Sequence, residues 1–162
     1  MPGLLDVQGF KDPIDPSIKG WVQYMLSLPG QADAVAEANF PNSARDSSVK
    51  NGFRHALGTG LLAQNLGAGE GGLRGLLAGP LAKGAGYLWE AASGFDNLTK
   101  QGASTDSLHD LNANAIGATQ AYNAKTPEEL ATLLRQKALA SKQTQPPEFF
   151  DRSPGYLTHT VR

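Results

Sequence analysis

The chain has 162 residues, enough for one domain with a real core, and its 14 basic and 15 acidic side chains leave a formal net charge of −1. That balance excludes a broad basic surface for nucleic acid, and there is no acidic block of the kind that forms a tail. The lack of cysteine excludes disulfides, thiolate metal sites and a cysteine nucleophile.

Residues 1–14 read as an extended leader, without the basic start and apolar run of a signal peptide. No stretch reaches the roughly 18 apolar residues of a membrane span. A helical domain is expected over residues 15–142, because the chain is rich in alanine and leucine and poor in β-branched runs. Asp15-Pro16 is a helix start with Asp15 as the cap. Ile18, Trp21, Val22, Met25 and Leu26 follow as an apolar stripe at helical spacing, and Pro29-Gly30 should stop that helix. A shorter, alanine-rich helix is expected from Gln31 to Asn39.

The stretch from Asp46 to Gly67 is the one around which the chain is organised. Asp46 or Ser47 can cap the first turn, and Gly67 suits a left-handed helix end. Between them Phe53, Leu57, Leu61, Leu62 and Leu66 cover most of the circumference, so this helix should be buried. Its first two turns nevertheless carry Asn51, Arg54 and His55. Buried polar groups cost free energy unless paired, so partners must come from elsewhere in the chain.

Beyond a glycine-rich loop around Glu70, two short helices are expected at about 72–78 and 80–93, separated by Pro80. Residues 94–105 read as a loop. Ser107 and Asp110 have the form of a capping box opening a helix from Leu108 to about Asn123. Leu111, Ala115, Ala118 and Tyr122 make an apolar row on it; Asp110, Asn114, Gly117 and Ala121 make a second, whose small residues would let another helix approach closely. Thr126, Pro127 and Glu129 open a last helix with Leu130, Leu133 and Leu134 as its buried face. Residues 143–162 form an extended C-terminal arm with Pro146-Pro147 and Ser153-Pro154, and its Phe149, Phe150, Tyr156 and Leu157 suit docking. The expected fold class is all-α: a compact multi-helix bundle around a buried central helix, with extended arms at both ends.

A single polar cluster is expected from Asn51, Arg54, His55, Glu90, Asp110 and Asn114. His55 or His109 would serve as a general base, Asp110 or Glu90 as its orienting carboxylate, and Arg54 as the group that stabilises an anion. The same residues also fit a purely structural network, in which Arg54 pairs with Glu90 or Asp110, His55 is a satisfied core histidine and Asp110 closes its capping box. No HExxH spacing, phosphate loop or Gly-x-Ser-x-Gly elbow is present, and neither a metal nor a cofactor is expected.

Asn51-Gly52-Phe53-Arg54-His55, the downstream Trp89-Glu90, and Asp110-Leu111-Asn112-Ala113-Asn114 with Gly117 resemble an uncharacterised helical bacterial domain of polymorphic-toxin-like proteins. That domain's pattern runs from an Asn-x-Phe-Arg-His helix through an Ala-His-Glu segment to Asp-Leu-x-Asn-Asn-x-x-Gly. The chain departs from it where Leu88 and Trp89 precede Glu90 without a histidine, and where Ala113 separates Asn112 from Asn114. The resemblance covers residues 46–120 and implies that Arg54, His55, Glu90, Asp110 and Asn114 belong together. Met1 to Asp6 with Phe10 to Pro13 is similar to the first residues of small internal or tail-associated virion proteins of tailed phages.

These readings lead first to a virion-associated phage protein, tail-linked or ejected, acting in particle assembly or genome delivery. It would be made in the bacterial cytoplasm and would contact other virion proteins or its own copies through the leader and the C-terminal arm. The alternative is a hydrolase or toxin-like effector acting on cell-envelope or phospholipid material through the His-Asp/Glu-Arg cluster. A third reading is a membrane-active helper using the segment 72–86.

Overall fold

The computed structural model describes residues 17–43, 48–98 and 105–141, and among them it contains five helices and no strand. They are α1 (Ile18–Asn39), α2 (Ser48–Leu66), α3 (Gly72–Leu98), α4 (Thr105–Gln120) and α5 (Pro127–Ser141). The fold is an all-α bundle in which α2 is the hub: α1, α3, α4 and α5 each pack against it. Phe53, Leu57 and Leu61 of α2 are fully buried with Val35 of α1 and Leu130 and Leu134 of α5. Each such side chain contributes about 1.5–3 kcal/mol by leaving water. The leader, the proposed caps Asp15, Asp46 and Ser47, and the C-terminal arm lie outside the described residues.

The end of α2 follows from one glycine. Gly67 has φ +106°, its amide donates to the Gln64 carbonyl, and the next amide, of Ala68, reaches back to Ala63 at 2.9 Å. This is a Schellman end, which needs a residue free of Cβ strain at that position. Arg74 then covers the remaining α2 carbonyls, donating to Leu66 and Asn65 at 3.2 and 3.3 Å.

Two expected breaks do not occur. Pro29 lies inside α1, which is one helix and not two, capped by the Ser17 hydroxyl on the Gly20 amide at 3.0 Å. Leu28 just before the proline and Ala32, Val35 and Ala36 after it are all buried. Burial on both sides of Pro29 offsets the one backbone bond it removes. The apolar stripe of this helix points outward: Ile18, Val22, Met25 and Leu26 are exposed.

Pro80 is likewise inside α3. There the side chain of Tyr122 replaces the interrupted ladder. The Gly79 amide donates to its hydroxyl at 2.8 Å, and the hydroxyl donates to the Gly75 carbonyl at 2.8 Å. The Leu76 carbonyl, which Pro80 has no N–H to satisfy, is 3.4 Å from the same oxygen. A side chain inserted into the helical ladder is a recognised way to accommodate a kink. Tyr122 therefore does not act as the apolar residue that its row suggested.

Ser107 does not open α4 as expected. α4 begins at Thr105, so Ser107 and Asp110 both lie within the helix. The last helix does start as expected: Glu129 N donates to the Thr126 hydroxyl at 3.2 Å, and the Glu129 carboxylate accepts from Lys125 N at 2.7 Å. The second row on α4 forms the tight crossing with α2. A Cβ on Gly117 would come within 1.9 Å of the Ala56 carbonyl oxygen, and one on Gly60 within 2.9 Å of the Gly117 oxygen.

Candidate functional site

Asn51, Arg54 and His55 lie on the first two turns of α2, and the packing of α1 and α4 supplies their partners. On the α4 side, Asn51 Nδ2 donates to Asp110 Oδ1 at 2.7 Å, and His55 Nε2 lies 3.4 Å from the same oxygen. On the α1 side, Arg54 donates to Asp33 Oδ1 at 3.2 Å and also to the Asn51 side-chain oxygen. Asp33, Arg54, Asn51, Asp110 and His55 thus form one continuous network across three helices. One turn further along α2, Thr59 donates to Asn114 Oδ1 at 2.8 Å, and both residues are buried.

Of the six residues expected to cluster, four share the network, Asn51, Arg54, His55 and Asp110, while Asn114 lies one turn along and bonds to Thr59. The Arg54 partners differ from expectation, being Asp33 and Asn51 in place of Glu90 or Asp110. The side chains of Glu90 and His109 lie outside the described residues, so the proposed His-carboxylate pair is seen as His55 with Asp110. Asp33 and Thr59 are the two members that were not anticipated.

Asp33 had a sequence signal. Asp33 and Glu37 are four apart on α1, and Lys50 and Arg54 are four apart on α2. With the two helices antiparallel, Asp33 meets Arg54 and Glu37 meets Lys50, the latter pair at 2.6 Å. Lys50 is nearly fully buried and also donates to the Ser43 carbonyl at 3.3 Å. A matched pair of i, i+4 charges on two helices is therefore a register signal, although neither helix alone reveals it.

Arg54 and His55 stand at one end of a groove of about 400 Å³ between α1 and α3, floored by α2 and α4. Met25, Leu28 and Ala32 form one wall, Ala85 and Gly86 the other, and Gly58, Thr59, Leu62 and Asn114 the floor. The groove is mainly apolar with a polar end. At that end two carboxylates, Asp33 and Asp110, outnumber the single guanidinium, so an anion gains little there unless His55 is protonated. Chemically, His55 beside Asp110 has the arrangement of an oriented base. No group of three or more metal-binding side chains occurs among the described residues.

Comparison with family models, with curated proteins and with solved structures yields no match to this chain. What the fold and the site define is a class: an all-α bundle with a polar network across α1, α2 and α4. No helix among the described residues is long and apolar enough to cross a membrane.

Proposed function

We propose that this protein is a component of a larger particle, a phage virion in the reading its leader favours, tail-linked or ejected, acting in assembly or genome delivery. One observation carries the reading. The bundle buries a complete core on α2, yet α1 and α3 present large apolar side chains to solvent, with Ile18 86% and Leu73 70% exposed. Contiguous apolar surface of more than a few hundred Å² marks a contact site on an otherwise soluble protein. The polar network is then a structural device that sets how α1 and α4 seat on α2.

The test is mass spectrometry of purified particles from cells expressing the full chain alongside its neighbouring genes. The wild-type chain should be found in the particle, and Leu26→Glu, on the exposed face of α1, should be lost from it with an unchanged melting temperature. Absence of the wild-type chain from every particle fraction would overturn the reading.

A second reading has an observation of its own: His55, 3.4 Å from Asp110, lines the groove. If the protein is a hydrolase of envelope or phospholipid material, His55→Ala abolishes turnover of that substrate and leaves the melting temperature nearly unchanged. A structural His55 gives the opposite pattern.

A further inference from the structure

The outer face of α3 has an order that a random apolar patch would lack. Projected at about 100° per residue, Leu73, Leu76, Leu77, Pro80, Leu81, Gly84 and Leu88 fall within an arc of about 140°. Gly75, Ala78, Gly79 and Ala82, which are buried against the bundle, occupy the opposite side. The nearest charges flank the stripe and do not interrupt it: Arg74 is turned to Glu70 and the end of α2, and Lys83 lies at the other margin. Leu76 and Leu88 are 69% and 73% exposed, and Leu77 and Leu81 are exposed as well.

From this face we infer that α3 is the seam of a homodimer, two copies pairing antiparallel along the stripe. The inference rests on the contact-surface reading above and names the partner for one of its surfaces. Two features of the stripe single out a second copy. The first is area: the five leucines expose on the order of 500 Å² per copy, so pairing would bury about 1,000 Å² in total before any flanking residue is counted, which reaches the lower bound for a specific interface.

The second feature is self-complementarity, which a two-fold interface requires. With the axis between residues 80 and 81, Leu73 lies level with the partner's Leu88, Leu77 with the partner's Gly84, and Leu81 with the partner's Pro80. Large residues thus face small ones in the middle of the stripe, and leucines close both ends. Parallel pairing would set Gly84 against Gly84 and leave a void, which a close-packed interface does not tolerate. The paired stretch spans about 15 residue steps, or about 22 Å of helix.

The chain contains no cysteine, so single introduced thiols report the register cleanly. In the full chain, sedimentation equilibrium should give twice the monomer mass, and Leu81→Glu should return it to monomer with the circular dichroism and melting temperature retained. Leu81→Cys should cross-link to itself on mild oxidation. Leu73→Cys should cross-link poorly alone but efficiently when mixed with Leu88→Cys.

A wild-type chain that remains monomeric at about 100 μM, with Leu81→Cys failing to cross-link, would overturn the inference. So would a monomeric Leu81→Cys variant whose introduced thiol is shielded from thiol reagents, since the chain's own C-terminal arm would then cover the stripe. A monomer that floats with anionic vesicles in a Leu81-dependent manner would also overturn it, by making a membrane the occupant. Particle incorporation is measured separately. Loss of the dimer with incorporation intact removes only this inference, whereas loss of incorporation removes the reading beneath it.

Discussion

The two sides of α2 are held in opposite ways. Against α4 the closest approach is made by the absence of side chain, where Gly60, Ala56 and Gly117 let backbone meet backbone, and the polar pairs Asn51–Asp110 and Thr59–Asn114 lie alongside. Against α1 the contact is made by charge, through Asp33 with Arg54 and Glu37 with Lys50, and a groove opens alongside, between α1 and α3. A crossing built from small residues is short-range and leaves no space for a ligand. One built from long charged side chains holds its register at greater separation and tolerates an open cleft. The groove opens where α1 stands off from α3, with Asn114 of α4 in its floor.

The largest effect should come from closing the α4 side. Gly117→Ala puts a methyl into the Ala56 carbonyl, so the helices must separate, and urea denaturation should show a loss of about 3 kcal/mol or more. A loss below about 1 kcal/mol would mean that the crossing can slide, and the contrast with the α1 side would weaken. Next is the hinge between the two sides. Asp110 receives Asn51 and approaches His55, so Asp110→Ala should cost about 2 kcal/mol by leaving partly buried donors without their acceptor. Glu37→Ala should cost about 2 kcal/mol, as much as Asp110→Ala, because it takes the carboxylate from the nearly fully buried Lys50 ammonium, although the Ser43 carbonyl still accepts from it. Arg54→Ala should cost somewhat less, because both Arg54 and Asp33 retain solvent access.

Tyr122→Phe sharpens the picture on α3. It should cost about 1 kcal/mol and speed hydrogen exchange at the Gly79 amide, whose acceptor it removes. An alkaline titration addresses the α1 side by another route. Burial pushes the Tyr24 phenol well above its ordinary value, and a hydrogen bond from Asn65 only partly opposes this. Because the folded state favours the neutral phenol, its contribution is complete below the unfolded value of about 10 and is lost as pH rises beyond it. Stability should therefore fall above about pH 10, and Tyr24→Phe should flatten that decline.

Much of the site could be read before the fold. A helix apolar all round but polar at one end requires partners, and Asp110 and Asn114, one turn apart on another helix, were the natural source of them. The charge ladder to α1 was present too, but it needs two helices considered together, and reading Pro29 as a stop assigns Asp33 to a separate short helix. What covers the α1 stripe was not legible for a related reason. Ile18, Val22 and Leu26 have the spacing of a core face, and periodicity shows that a helix has an apolar side without showing what covers it.

By itself the sequence determined the all-α class, the central place of α2, its glycine end at Gly67 and the start of α5 at Thr126-Pro127. These are local matters of backbone freedom, capping and apolar content, decided within a few residues. Tertiary structure alone decided that α1 and α3 run through their prolines, because the compensation comes from distant groups: burial of Val35 and Ala36 under the bundle, and the hydroxyl of Tyr122, brought in from beyond α4. It also decided which apolar faces stay open. That depends on how many sides of α2 are already occupied, a property no single helix carries.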